Sequence, residues 1–163
     1  MPRSKSTRMS FRAAAMIAEG RRGQSRAADS LKESEHLFRT LTEKSVAGIY
    51  VVQNGRFRFV NANAASYAGY SAGELIGRKS GFMVYPEDRE AVKKNARAML
   101  RGERASPHEF RIITRQGSIR WVLETVASIT LDGKPAILGN SMDITEEKRA
   151  QARLQESETW YRT

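Results

Sequence analysis

Asn54-Gly55 stands between two runs that only a sheet accommodates well. Gly48-Ile-Tyr-Val-Val-Gln53 is β-branched and aromatic, and Arg56-Phe-Arg-Phe-Val60 alternates strictly. A type I′ turn needs positive φ at both central residues, which Asn-Gly supplies, so the spacing predicts a β-hairpin over 47–60. Phe57 and Phe59 are expected on one face and Arg56 and Arg58 on the other.

Helix signals follow. Asn61 suits the cap of a helix over 62–68. Ser71-Ala-Gly-Glu74 has capping-box form, and Pro86-Glu-Asp-Arg-Glu90 opens a longer helix to about residue 101. Glu109–Thr114, Ser118–Thr130 and Ala136–Met142 then read as strands joined at Gln116-Gly117 and Asp132-Gly133. The apolar face of the long strand reads as Trp121, Leu123, Val126 and Ile129, which requires a bulge where alternation slips. All strand connections but one are hairpins, so the sheet is expected to be antiparallel. The helical block between the second and third strands must then cover one face. The fold class is α+β: a five-stranded antiparallel sheet, flanked by N- and C-terminal helices. The natural pocket lies between helices and sheet.

The ends carry a repeated phrase, LKESEHLFRT at 31–40 and LQESETWYRT at 154–163, offset by 123 residues. That offset is domain-sized, so 146–163 reads as a linker helix entering the start of a second copy. Ser30-Leu-Lys-Glu33 resembles a capping box opening a helix over 30–43. Residues 1–29 form a basic leader expected to be poorly ordered. Residues 1–30 hold seven basic and two acidic side chains, half of the net +10. A basic arm can hold nucleic acid, but only Phe11 interleaves with it, so nucleic acid is not expected as a partner. No stretch is long and apolar enough to span a bilayer, and a cytoplasmic location is expected.

Five pieces in order resemble a PAS domain of the bacterial S-box type with its C-terminal PAC segment. They are Asn54–Asn61, Gly69–Gly77, Tyr85-Pro-Glu-Asp-Arg89, Gly117–Val122 and Asp143-Ile-Thr145. The resemblance covers about 31–146, so the domain is set at 30–145. It implies a sensor or relay module of a two-component signalling protein, not itself an enzyme. It also implies a homodimer formed through flanking helices, with an output, kinase or neighbouring PAS domain as partner. Asp143, Ile144 and Thr145 would transmit the signal to the following helix. There, Ala150, Leu154, Ser157 and Tyr161 form a heptad-like seam for dimerisation.

Candidates for the ligand pocket are Tyr50, Val52, Phe59, Asn63, Tyr67, Tyr70, Phe82, Met83, Met99, Phe110, Ile112 and Trp121. The chain has no cysteine, which excludes a cysteinyl-flavin adduct, disulfides and thiolate zinc. The haem-binding branch of the family that the chain resembles uses a histidine on the long helix; the helix over 86–101 has none, so the resemblance does not imply haem. A non-covalent flavin or a small metabolite stays open. No metal site is expected: His36 lies on the leading helix, and His108 reads as a surface residue at a strand edge. Arg120 and Glu124 read as an exposed pair on one strand face. Neither histidine sits in a nucleophile–base constellation, and no Gly-rich phosphate loop occurs. A ligand-free interaction module and a nucleic-acid-associated regulator remain alternatives.

Overall fold

The structure, a computed structural model, describes residues 6–104 and 107–161, with side chains between 12 and 160. The chain divides into two units, residues 1–41 and 42–163.

In the first unit, helix α1 runs Ser6–Glu43 without a break. This corrects the expectation of a poorly ordered leader for its described part. Ala13–Ala15, Ala18, Ala27 and Ala28 have the highest helix propensity, and it offsets the cost of about 1 kcal/mol each for Gly20 and Gly23. Ser30 therefore lies inside a helix rather than capping one. Ile17, Ala27, Leu31, Ser34, Phe38 and Leu41 follow heptad-like spacing, and Leu31, Phe38 and Leu41 are exposed.

The second unit is the α+β domain. Its strands are β1 (Gly48–Gln53), β2 (Arg56–Val60), β3 (His108–Ile113), β4 (Ile119–Leu131) and β5 (Lys134–Asp143). They form one antiparallel sheet in the order β2-β1-β5-β4-β3. The hairpin turns where expected, with Asn54 and Gly55 both at positive φ (53° and 72°). Helices α2 (Ala62–Ala68) and α3 (Ala72–Leu75), a 3-10 turn at Pro86–Asp88 and α4 (Arg89–Leu100) lie between β2 and β3. Both cap signals are realised. Asn61 accepts the Ala64 amide, and Ser71 and Glu74 complete a capping box.

Two register details decide which side chains meet. The bulge lies in the β1–β2 pair, not in β4: Val51 pairs with Phe59 while Val52 pairs with Phe57. The extra residue on β2 reverses its alternation. Phe57 and Val60 therefore share the face of Val52 and Tyr50, and Phe59 sits with Val51 on the other. By contrast, β4 pairs with β5 in unbroken register from Val122 to Leu131. Its buried positions alternate as Val122 and Glu124, leaving Trp121 and Leu123 on the outer face.

Asn61 ties three segments together. Its carbonyl oxygen accepts from Ile49 N (2.9 Å) and Ala64 N (3.0 Å), and its amide donates to Thr42 O (2.9 Å) and Ala47 O (3.0 Å). One side chain thus anchors the entry to β1, β1 itself and the start of α2. The opposite wall is held by Asp88, whose carboxylate takes the Arg111 backbone amide at 2.8 Å and its guanidinium. The guanidinium in turn lies 4.2 Å from the Tyr85 ring centre.

Candidate functional site

Between the inner sheet face and the helices is a cavity of about 250 Å³. Its sheet side is Tyr50 and Val52 from β1, Phe57 and Val60 from β2, Phe110 and Ile112 from β3, Val122, Glu124 and Val126 from β4, and Ile137 and Ser141 from β5. Tyr67 of α2, Leu75 of α3, Met83, Val84 and the Val92–Ala96 turn of α4 close the other side. Gly81 and Lys93 are the exposed members of the lining and mark the way in. The volume is below the roughly 300–1,000 Å³ of drug-sized sites, which favours a small occupant over a three-ring flavin.

The sheet side of the lining carries Glu124 and Ser141, which belong to a polar row whose outer member, His108, lies beside the lining. His108, Glu124, Ser141 and Gly48 are successive cross-strand partners on β3, β4, β5 and β1. This places a polar line across the buried face of the sheet. Glu124 is 7 % exposed and His108 3 %. The Tyr50 hydroxyl donates to Glu124, and the hydroxyls of Tyr67 and Ser141 are bonded to each other. Ser141 also donates to the Gly48 carbonyl at 3.3 Å.

Glycines make room for these contacts. The Tyr50 ring lies across its partner Gly139, where an added Cβ would meet ring atoms at 2.0 Å. At Gly48 a Cβ would stand 2.9 Å from the Tyr67 hydroxyl and 3.0 Å from the Ala64 backbone.

Burial sets the electrostatics of the row. Desolvation pushes the Glu124 carboxyl up to about 7, although the hydrogen bond from Tyr50 pulls the other way. Burial also pushes the Tyr67 phenol up to about 12, opposed by its bond to Ser141. The Tyr50 phenol is raised well above its ordinary value by burial and by the charge of Glu124. His108 is lowered, by burial first and by Arg104 second. Its Nε2 stands 3.7 Å from Glu124 Oε2, beyond hydrogen-bond length, and neither ring nitrogen finds a partner. The ring stacks on Phe110 with centres 5.1 Å apart.

The structure brings Tyr50, Val52, Tyr67, Met83, Phe110 and Ile112 together in the lining, and leaves the other candidates outside it. Phe59 is turned to the far face by the bulge. Asn63 donates its amide to the Val46 carbonyl. Tyr70 and Phe82 pack edge to face behind the lining, 5.7 Å apart, with Arg78 over both rings. Met99 is buried on α4 but lies outside the cavity lining. Trp121, on the outer face, lies beneath the Lys148 ammonium at 5.1 Å and the Arg111 guanidinium at 5.7 Å.

Two sequence expectations are corrected together. Arg120 and Glu124 are not an exposed pair: Arg120 binds Asp143, and Glu124 is buried in the cavity wall. His108 is buried opposite Glu124 rather than on the surface. Their signal was available in the strict alternation Val122, Glu124, Val126, but a carboxylate at an inward position reads as solvent-facing by default.

The far end of β5 leads out of the cavity. Two residues after Ser141, the Asp143 carboxylate accepts the Thr145 amide at 3.0 Å and pairs with Arg120 at 2.5 Å. Thr145 Oγ1 accepts the Trp121 amide at 3.0 Å, and the Ile144 amide donates to the Trp121 carbonyl at 2.9 Å. Burial opposes ionisation of Asp143, but the bonds from Thr145 and Arg120 outweigh it and hold the carboxyl below its ordinary value. Helix α5 (Thr145–Tyr161) starts from this junction. Lys148 also pairs with Glu109, while Ala150, Leu154 and Ser157 are exposed. The Tyr161 side chain lies outside the described residues.

Ser141 is bonded to a phenol and a carbonyl, and among the described residues no His, Asp or Glu is hydrogen-bonded to it. Among the described residues, no three His, Cys, Asp or Glu side chains cluster as a metal site. Likewise, no described helix is long and apolar enough to cross a membrane.

A family model described as the PAS fold matches residues 57–140. The chain is 28 % identical over 127 residues to the methyl sulfide methyltransferase-associated sensor of Methanosarcina acetivorans, covering 77 % of this chain and 13 % of that protein. It is 43 % identical over 70 residues to the blue-light-activated histidine kinase of Brucella ovis, covering 43 % of this chain and 14 % of the kinase. The chain thus spans about an eighth to a seventh of these relatives. Among solved structures, a sensory box histidine kinase/response regulator from Burkholderia thailandensis superposes with a TM-score of 0.60 at 23 % identity, covering 77 % of this chain and 97 % of that one. The PAS domain of a Colwellia psychrerythraea protein gives 0.61 at 21 % identity, covering 71 % and 98 %. These likenesses agree with the observed sheet order and the helix-covered cavity, and the chain belongs to the PAS-fold family, as a sensor domain related to those of histidine kinases.

Proposed function

We propose that this domain senses a small ligand in the cavity and passes the bound state to an output domain through α5. The observation that carries this reading is the path along β5. Ser141 faces the cavity, and Asp143 on the same strand holds the first turn of α5 and, through Thr145, the Trp121 backbone. A shift of the inner sheet face moves that junction because the same strand carries both. Ala150, Leu154, Ser157 and Tyr161 repeat, at the 123-residue offset, the spacing of Ala27, Leu31, Ser34 and Phe38 in α1. That common seam supports a homodimer through helices of this type, with α5 entering a second copy or a kinase-type neighbour. The exposed Leu154 gives the seam an apolar anchor.

Native mass spectrometry of the purified chain tests both parts in one spectrum. The expected result is a dimer carrying a small extra mass, with no flavin or haem absorbance. A strict monomer would overturn the helix-pairing part. A chain that stays empty through a screen of small metabolites would overturn the ligand part.

A further inference from the structure

We propose that the cavity takes a small organic cation, an amine on an aromatic or alkyl body, with its ammonium seated against Glu124. This deepens the reading of the cavity as a ligand site and rests on it.

The polar row is rich in acceptors and poor in charge partners. One oxygen of Glu124 receives the Tyr50 hydroxyl, and the other stands 3.7 Å from His108 Nε2, too far to bond. Among the described residues, no lysine or arginine pairs with Glu124. Lys93 of the lining is bonded to Glu90 at 3.0 Å, and Arg104 to Asn95 and Pro107. The buried His108 ring, lowered towards its neutral form, offers a second open acceptor nitrogen in the same row. An ammonium has three donors and no acceptor, which matches this set.

A carboxyl already desolvated by the fold favours a cation, because its own burial adds no new cost on binding. The walls suit the body of such a ligand. Tyr50, Phe57, Tyr67 and Phe110 line the cavity, and aromatic faces attract cations as well as apolar groups. An anion would meet the carboxylate without a counter-charge. A neutral alcohol would satisfy one oxygen and leave the charge unpaired.

The titratable groups facing Glu124 are Tyr50 from β1, Tyr67 from α2 and His108 from β3, with Lys93 of α4 elsewhere on the lining. Burial keeps both phenols protonated through pH 9, while it raises the Glu124 carboxyl to about 7 and lowers His108 from its ordinary value. An ammonium stabilises the ionised carboxyl, so it must displace the proton of Glu124 below about pH 7.

The test uses the full chain and three probes of one shape: 2-phenylethylamine, 2-phenylethanol and phenylacetate, measured by calorimetry. At pH 8 the amine is expected to bind at least about tenfold more tightly than the alcohol, with phenylacetate weakest. Below pH 7 amine affinity should fall by up to about tenfold per unit, while the alcohol's stays flat. Repeating the pH 6 titration in two buffers of different ionisation heat should count close to one proton released per amine bound. Glu124→Gln should lower amine affinity at least about tenfold and leave the alcohol within about threefold. Alcohol binding equal to amine binding, or no proton release, overturns the cation assignment and leaves the ligand cavity standing. An amine preference that survives Glu124→Gln overturns it as well. If none of the three probes binds, the cation assignment and the ligand reading fall together.

Discussion

Replacing Asn61 by alanine is expected to destabilise the domain by about 3–5 kcal/mol and lower its melting temperature by roughly 10–20 °C. The side chain is 3 % exposed and makes four hydrogen bonds to backbone groups of Thr42, Ala47, Ile49 and Ala64. Alanine leaves those groups without their partner, at about 1–3 kcal/mol for each that water cannot reach. The effects do not add fully, because the 42–47 segment can relax towards solvent. Serine at 61 keeps an oxygen for the α2 cap but cannot span to the entry segment, so it should recover only about 1 kcal/mol. Chemical denaturation of the two variants checks this. A change under about 1 kcal/mol for Asn61→Ala would mean that these three segments are not held through residue 61.

Replacing Glu124 by glutamine is expected to stabilise the domain at pH 8 by about 2 kcal/mol, a reversal of the usual result for a buried polar group. The Glu124 carboxyl is raised to about 7 by burial, against an ordinary value of about 4.3 in the unfolded chain. Between those values the folded chain holds a proton that the unfolded chain has released. The stabilising contribution is therefore full below about pH 4.3 and is lost as pH rises through about 7. Glutamine keeps an oxygen for the Tyr50 hydroxyl and carries no charge to desolvate. His108 acts in the opposite sense: its lowered pKa means that stability rises with pH up to about 6.5. It is present in both proteins, so the difference between them isolates Glu124. Thermal unfolding from pH 5 to 9 should show the two closest at pH 5, the variant drawing ahead as pH rises through about 7, and the gap constant above that. A variant less stable than the parent at pH 8 would mean that the carboxyl is solvated or paired.

Much of the fold was legible because local chemistry and topology agreed. Asn54-Gly55 admits a hairpin and little else, Asn61 and Ser71 announce helix starts, and successive hairpins leave no room for a parallel sheet. The site was less legible, for reasons that belong to the sheet. Alternation alone puts Phe57 and Phe59 on one face, and only the pairing with Val51 and Val52 shows that an extra residue separates them. On β4 the apolar residues Trp121 and Leu123 suggested an inward face. The real inward face carries Glu124, a residue that sequence patterning assigns to solvent. A charged residue at a buried position is a departure from pattern, and such departures concentrate at functional sites. The described part of the leader differs for another reason: its charge and serine content suggest disorder, while its alanines favour helix.

Hydrogen exchange reads out whether occupancy of the cavity reaches α5 through Asp143 and Thr145. Benzene is a suitable occupant, since apolar cavities of this kind take it up and it carries none of the chemistry of an amine. Exchange would be followed by NMR on the full chain with and without saturating benzene, and again in Asp143→Ala. Slower exchange is expected at the lining strands together with a several-fold change at the Trp121, Ile144 and Thr145 amides, and loss of that distal change in the variant. Protection confined to the lining of β1 to β4, with the 143–148 amides unmoved, would contradict it.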